Sequence, residues 1–118
     1  MSEIEARREV FNRVKAHLLT QNAQALDYCG GCAYRGQDGT KCAVGCLITD
    51  NAYSPGIEGA TALDERLEWA LGQSGVPTDM RTLRMLDALQ RMHDGRSPGY
   101  WPDELDRIEA LFLGPEES

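Results

Sequence analysis

The feature that most constrains this chain is a set of four cysteines within eighteen residues, Cys29, Cys32, Cys42 and Cys46, and the chain has no others. The first pair reads Cys-Gly-Gly-Cys, the second reads Cys-Ala-Val-Gly-Cys, and a turn-rich stretch over 33–41 separates them. Four thiolates this close in sequence can converge on one tetrahedral ion. The pattern therefore predicts a zinc ion that holds a segment with little apolar content of its own.

The spacing of the cysteines supports the metal interpretation. Cys42 and Cys46 are four residues apart, so one helical turn would place both sulfur atoms on the same side. Zinc bound by four thiolates can supply about 10 kcal/mol or more of apparent binding energy, which becomes folding energy. We predict as zinc ligands Cys29, Cys32, Cys42 and Cys46, with His93 as a possible replacement for one cysteine.

Two other interpretations of the cysteines stay open. The stretch Cys42–Ile48 is apolar enough to belong to the core, where a free cysteine behaves as a small hydrophobic residue. Cys29 and Cys32 could instead serve redox chemistry, but no apolar strand precedes them and no good helix start follows. A cysteine nucleophile also needs a base. The two histidines are His17, on a surface-prone helix, and His93, which we interpret as a packed helix-end residue.

Charge and hydropathy exclude several classes of protein. A net charge of −7 argues against tight sequence-independent nucleic-acid binding, which needs a basic surface. No apolar run approaches the ~20 residues that span a bilayer. The N-terminus has no hydrophobic signal-peptide region, which predicts a cytoplasmic protein whose thiols stay reduced.

The periodicity of apolar residues predicts four amphipathic helices. The first runs from about Glu3 to Gln21 and begins with a Ser-x-x-Glu capping box. The second spans about 63–71, the third runs from about 78 to 95, and the fourth begins near Pro102 and stops at Gly114.

A β-hairpin is predicted between the first two helices. The stretches 32–35 and 40–43 flank Gly36-Gln37-Asp38-Gly39, which has Asp-Gly turn chemistry. The sequence therefore predicts one domain over residues 1–118 of the α+β class, predominantly helical, with about four helices around a small hairpin in the cysteine-rich segment 29–46.

The stretch from Cys32 to Ile48 resembles a segment of small proteins of unknown function encoded by tailed bacteriophages and prophages. In that group a Cys-x-Tyr-Arg…Gly-x-Lys-Cys-Ala-x-Gly-Cys-Leu-Ile pattern follows an N-terminal helix. Matching positions further along this chain are Asp50, Tyr53, Glu58-Gly59 and the Leu-Gln-x-x-His-Asp segment over 89–94. The resemblance covers most of residues 8–94.

The resemblance carries implications for the metal and for the role. The group has cysteines at the positions of Cys32, Cys42 and Cys46 but not at Cys29, which leaves two alternatives to four cysteines. One is a site of three cysteines with His93, and the other is no metal. The group implies no activity. It implies an accessory role in the cytoplasm of the host cell.

Three hypotheses about function follow. The first is a non-enzymatic accessory protein, stapled by zinc, that binds a host or phage protein. The second is a zinc-stabilised nucleic-acid-binding or regulatory module, with a basic strip along the arginines of 81–96 together with Arg35 and Lys41. The third is a thiol or redox enzyme that uses Cys29 and Cys32. No phosphate-binding loop or hydrolase motif is present in the sequence, which favours the first.

Overall fold

The computed structural model describes residues 2–26, 31–58 and 63–114, and within these ranges the chain forms four α-helices. They are α1 (Glu3–Gln21), α2 (Glu65–Gln73), α3 (Met80–Gly95) and α4 (Trp101–Leu113). The four helices predicted from the sequence are therefore confirmed. None of the helices in the described ranges has both the length and the apolar character needed to cross a membrane.

The helix ends follow from local side-chain chemistry. At the start of α1 the N–H of Glu5 donates to Ser2 Oγ at 3.2 Å and the N–H of Ser2 donates to Glu5 Oε1 at 2.9 Å, which is the predicted capping box. Asn22 ends α1 in the left-handed conformation, with φ of 50°. Asp64 and Asp79 cap α2 and α3 by accepting backbone N–H bonds.

The core lies where α4 packs against both α1 and α3. Trp101 at the start of α4 is fully buried, and its Nε1–H donates to the carbonyl of Arg96 at 3.1 Å. Each helix turns one apolar stripe inward. The buried residues of these stripes include Val10, Phe11, Val14 and Leu18 in α1, Leu83, Leu86 and Leu89 in α3, and Leu105 and Ile108 in α4.

The predicted β-hairpin is wrong. The chain does reverse at Gln37–Gly39, but through a short 3-10 turn, and the pair Arg35–Lys41 forms only an isolated bridge. No β-strand forms in the ranges that the structure describes, so the fold is helical there and not α+β.

The hairpin fails because the backbone N–H groups of its first arm bind elsewhere. The N–H groups of Tyr34 and Arg35 donate to the carboxylate of Glu58 at 2.9 and 3.3 Å. The N–H of Gln37 donates to the carbonyl of Leu26 at 2.9 Å. Of these donors, the N–H of Tyr34 is the one that a longer ladder would direct to the second arm, since the carbonyl of Tyr34 already accepts the N–H of Cys42 there. With that donor bound to Glu58, pairing does not extend beyond one bridge.

The segment 31–58 also carries more apolar mass than the sequence analysis assumed. Eight of its residues belong to the core: Tyr34, Cys42, Ala43, Val44, Leu47, Ile48, Ala52 and Ile57. Gly45 lies so close to this packing that a Cβ placed on it would overlap the carbonyl oxygen of Tyr34. The expectation that a metal must order a segment of low apolar content is therefore corrected, because hydrophobic burial contributes directly.

Side chains outside the segment satisfy several of its backbone donors. Each of these side chains lies on a helix or at a helix end and accepts one amide hydrogen. The bonds are Lys41 N–H to Gln21 Oε1 at 3.0 Å, Val44 N–H to Gln90 Oε1 at 3.2 Å, and Thr49 N–H to Ser74 Oγ at 2.9 Å. Irregular backbone can enter the interior because its polar groups are paired in this way.

A buried arginine links three helices. Arg7 of α1 is fully packed, and its Nε donates to Thr82 Oγ1 at 3.2 Å. Its Nη2 lies 3.2 Å from carboxylate oxygens of both Glu3 and Asp79, and Nη1 reaches the carbonyl of Phe112 at 3.5 Å. The sequence analysis did not identify Arg7. It connects α1 to the cap of α3 and to the end of α4.

Candidate functional site

The structure separates the predicted zinc ligands. Cys29 lies outside the described residues, so the four-cysteine site stays a prediction. Cys32 is exposed, Cys42 is buried and Cys46 is partly buried. Within the described ranges these three thiols do not form a common group of ligand atoms.

Cys42 and Cys46 sit in local packing. Cys42 Sγ accepts the N–H of Gly45 at 3.2 Å, and Cys46 Sγ donates to the carbonyl of Ala43 at 3.2 Å. Burial raises the pKa of the Cys42 thiol strongly and raises that of Cys46 to about 11. Both thiols are protonated near neutral pH, as expected for small hydrophobic core residues and not for nucleophiles.

Cys32 lies beside the C-terminal end of α3. One ligand atom from each of Cys32, His93 and Asp94 falls within 4.8 Å of the others, so the group could hold a metal ion. His93 was the predicted alternative to Cys29, and the structure brings it to Cys32. The sequence analysis did not single out Asp94 as a ligand, although it directly follows His93.

The hydrogen bonds of His93 define its protonation. The N–H of Ala25 donates to Nε2 at 3.0 Å, and Nδ1 lies 2.8 Å from Asp94 Oδ1. Because an amide only donates, Nε2 carries no proton, and Nδ1–H donates to Asp94. The ring is fully buried and stacks on Trp101 with 5.7 Å between centroids. The prediction of a packed helix-end histidine is confirmed.

Cysteine, histidine and aspartate are also the residue types of a thiol nucleophile with its base and orienting carboxylate. Here Asp94 holds Nδ1, so Nε2 would have to accept the proton of Cys32. That nitrogen already accepts the N–H of Ala25. The other histidine, His17, has its Nε2 2.8 Å from the carbonyl of Lys41, so it too is bound to backbone. His93 therefore has no free nitrogen to act as a general base for Cys32, and His17, whose Nε2–H donates to that carbonyl, does not belong to the group of Cys32, His93 and Asp94.

The residues that carry the phage resemblance form a brace within the irregular segment. Arg35 binds Asp50 at 2.8 Å and the carbonyl of Ile48 at 3.1 Å, and its guanidinium lies 4.2 Å from the ring centroid of Tyr53. The hydroxyl of Tyr53 donates to Glu58 at 2.7 Å. Burial, then this hydrogen bond, raises the pKa of Tyr53 to about 12. These contacts tie the two ends of the segment together.

The predicted basic strip is divided among local partners. Arg35 is occupied in the brace, and Arg81 donates to the carbonyl of Leu111 at 3.0 Å. Arg91 pairs with Asp87 on its own helix at 2.9 Å. A continuous line of free cations along α3 is therefore not what the structure presents.

The most exposed large hydrophobic side chain among the described residues is Trp69 of α2, at 60% exposure. The opposite side of α2 is buried through Leu67, Ala70 and Leu71. A cleft of about 390 Å³ lies between Trp69 and the 52–57 stretch. We call the Trp69 surface the set of residues Ala52, Gly56, Ile57, Glu65, Glu68 and Trp69, which line this cleft and the adjoining one.

Comparison with protein-family models, with curated proteins and with solved structures gives no match to this chain.

Proposed function

We propose that this protein is a non-enzymatic interaction module that docks a segment of a partner protein on the Trp69 surface. The observation that carries the proposal is the exposed indole of Trp69 beside an apolar cleft. Tryptophan is enriched at interaction hot spots because it buries a large area and loses few rotamers. The fully buried Trp101 shows that this fold can sequester an indole, and Trp69 is left outside.

The charges around the cleft indicate the chemistry of the partner. Glu65 and Glu68 flank the indole on α2, and neither has an ion-pair partner among the described residues. Among the described residues that line the two clefts, the one cation is Arg66, which is held by Asp64 at 3.1 Å. A partner segment that presents an apolar side chain flanked by lysine or arginine complements this surface. A second copy of the chain would bring like charges together there.

The proposal keeps the setting that the phage resemblance implies. The partner would be a host or phage protein, and the meeting place would be the cytoplasm of the host cell. The protonated thiols of Cys42 and Cys46 and the occupied ring nitrogens of His93 support a role without catalysis.

Selection of binding peptides from a random library, with the purified protein as the target, tests the proposal. We expect the selected peptides to share an apolar residue next to lysine or arginine. Trp69→Ala should weaken their binding by at least about tenfold, since truncating a hot-spot aromatic costs about 2 kcal/mol. Glu65→Gln with Glu68→Gln should slow association and flatten its salt dependence.

Leu111→Ala is the matched control, because Leu111 is a large exposed hydrophobic residue on a different helix. Peptides that bind the Trp69→Ala variant as well as the parent protein, or a selection with no basic residues, would remove the proposal. Light scattering at rising protein concentration gives a second readout. A dimer lost in Trp69→Ala would show that a second copy takes the place proposed for the partner.

We also propose that zinc is the ion for the group Cys32, His93 and Asp94. Thiolate, imidazole and carboxylate are all ligands that zinc accepts, and three protein ligands leave a fourth position for water. If zinc binds Nε2 of neutral His93, that nitrogen is occupied by the metal. If zinc binds Nδ1 instead, Nε2 carries the proton. The N–H of Ala25 then loses its acceptor. Zinc binding therefore exchanges one buried hydrogen bond for metal coordination.

Metal analysis of purified variants tests the zinc assignment. We expect one zinc per chain, lost in Cys32→Ser and in Asp94→Asn, and retained in Cys42→Ser. The amide NMR signal of Ala25 should move on zinc addition, because its hydrogen bond to His93 breaks. Loss of zinc in Cys42→Ser would instead favour the site of four cysteines or that of three cysteines with His93, and a protein that never retains zinc would exclude all three sites.

A further inference from the structure

Another cleft, away from the residues of the Trp69 surface, lies between the end of α3 and the start of α4. It encloses about 360 Å³ and is lined by the side chains of Arg91, Arg96, Arg107 and Glu104, with Ala88 and Met92 beside them. Three arginines against one glutamate give this lining a formal charge of +2, whereas the whole chain carries −7. Positive charge is therefore concentrated in one concave place on an acidic protein.

The arginines of this cleft are only partly engaged. Arg107 donates Nε and Nη2 to the same oxygen of Glu104, at 3.2 and 2.8 Å. Arg96 Nε lies 3.8 Å from the other oxygen of Glu104, beyond hydrogen-bond distance. Arg91 uses its Nε on Asp87 at 2.9 Å. Over the described residues, the terminal nitrogens of Arg91 and Arg96 have no protein acceptor, so N–H donors remain available at the cleft.

The ionisation of Glu104 reflects the positive charge around it. The N-terminus of α4 adds little to that charge, because Asp103 and Glu104 occupy the first turn of the helix. The hydrogen bond from Arg107 lowers the pKa of Glu104, with the charges of Arg107 and Arg96 adding to it against a smaller effect of burial. Glu104 is an internal anion already held by this cleft.

We propose that this cleft binds the phosphate group of a small anionic ligand through the guanidinium groups of Arg91, Arg96 and Arg107. Guanidinium groups match the planar, multidentate geometry of phosphate oxygens. Tyr100, at 59% exposure, lies with its ring centroid 5.8 Å from the guanidinium of Arg96 and offers a face for a planar group. The lining of this cleft shares no residue with the Trp69 surface or with the group of Cys32, His93 and Asp94, so the proposal uses neither of them.

The position of Glu104 makes the proposal testable in two directions. Its carboxylate competes with an incoming phosphate for Arg107 and Arg96. Glu104→Gln removes the competing charge and should tighten phosphate binding about fivefold, whereas Arg96→Gln should weaken it about fivefold. If these arginines were only solvated surface residues, neither substitution should change phosphate affinity by that much.

The experiment is an NMR titration of the full chain with sodium phosphate and with adenosine monophosphate at low ionic strength. We expect amide shifts confined to 88–107, tighter binding in Glu104→Gln and weaker binding in Arg96→Gln. Arg13→Gln, at an exposed arginine of α1, is the control and should bind like the parent protein. Tighter binding of the nucleotide than of free phosphate would identify an ester as the ligand class, and equal binding would identify the free anion.

Shifts spread over the whole surface would overturn the proposal. The proposal would also be overturned if the Glu104→Gln variant bound phosphate no more tightly than the parent protein, or if the Arg96→Gln variant bound it as tightly as the parent protein. Both substitutions lie at positions outside the core, and circular dichroism of each variant should confirm an unchanged fold before the titration.

Discussion

Replacing Gly45 with alanine should lower the free energy of unfolding by about 3 kcal/mol or more. The new methyl group would overlap the carbonyl oxygen of Tyr34, and the neighbouring carbonyl carbon would be 2.8 Å away. Both are backbone atoms, so no flexible side chain can turn aside. That carbonyl also accepts the N–H of Cys42 at 3.1 Å, so moving it disturbs a buried hydrogen bond as well.

Urea unfolding followed by circular dichroism measures this effect. Gly56→Ala is the matched control, since its nearest neighbour is the hydroxyl of Ser54 at 3.6 Å, an ordinary contact. We expect the control to stay within about 0.5 kcal/mol of the parent protein. A Gly45→Ala protein as stable as Gly56→Ala would show that the backbone of the irregular segment does not pack as described.

Replacing Arg7 with alanine should cost about 3 kcal/mol, because the change removes the cation that pairs with Asp79 and the donor to Thr82 Oγ1 in a largely buried setting. Thermal and urea unfolding both report the loss. Arg8→Ala is the control on the same helix, as its side chain is 48% exposed and its ion pair with Glu109 spans 3.7 Å. An exposed pair of this kind contributes less than about 1 kcal/mol. Equal losses in the two variants would contradict the structural role given to Arg7.

The same cluster predicts a pH dependence. Burial alone would raise the pKa of Asp79, but hydrogen bonds from Thr82 and Arg7 outweigh it and leave the pKa below its ordinary value. A carboxyl whose pKa is lowered on folding stabilises the protein above its unfolded pKa of about 3.9, and that contribution is lost as the pH falls further. Asp79→Asn should therefore reduce the acid sensitivity of unfolding relative to the parent protein. An unchanged pH profile in Asp79→Asn would exclude this assignment.

The helices were predictable because their signals are local. Apolar spacing of 3.6 residues identified all four, polar caps marked the starts of α1, α2 and α3, and the Ser2–Glu5 box placed the start of α1 within one residue. The hairpin was not predictable, since the carboxylate that takes its amide hydrogens belongs to Glu58, 24 residues beyond Tyr34. Turn chemistry at Asp38-Gly39 indicated where the chain reverses, but not what its backbone binds.

The positions of two buried polar residues in the sequence indicate their burial, although the sequence analysis did not identify them. Arg7 lies three residues after Ile4 and four before Phe11, within the apolar stripe of α1. Gln90 lies four residues after Leu86, within the apolar stripe of α3. A polar side chain at such a position has to find buried partners, which indicates an internal network. Which partners it finds depends on contacts between helices.

The candidate metal group shows the limit of spacing arguments. The number of cysteines and their short intervals predicted convergence, yet the neighbours of Cys32 come from α3, about sixty residues away in the chain. Cys42 and Cys46 follow the apolar pattern of their own segment into the interior. Distance along the sequence constrained these thiols less than hydrophobic burial did.

The amide bonds that Gln21, Gln90 and Ser74 accept from the irregular segment have a consequence for recognition. Opening that segment would break its hydrogen bonds to three helices at once and leave its N–H donors unpaired. We therefore expect the segment to unfold together with the rest of the molecule. One wall of the Trp69 cleft belongs to it. The protein side of the proposed interface is therefore preorganised, so most of the conformational entropy lost in the proposed association would be lost by the partner segment.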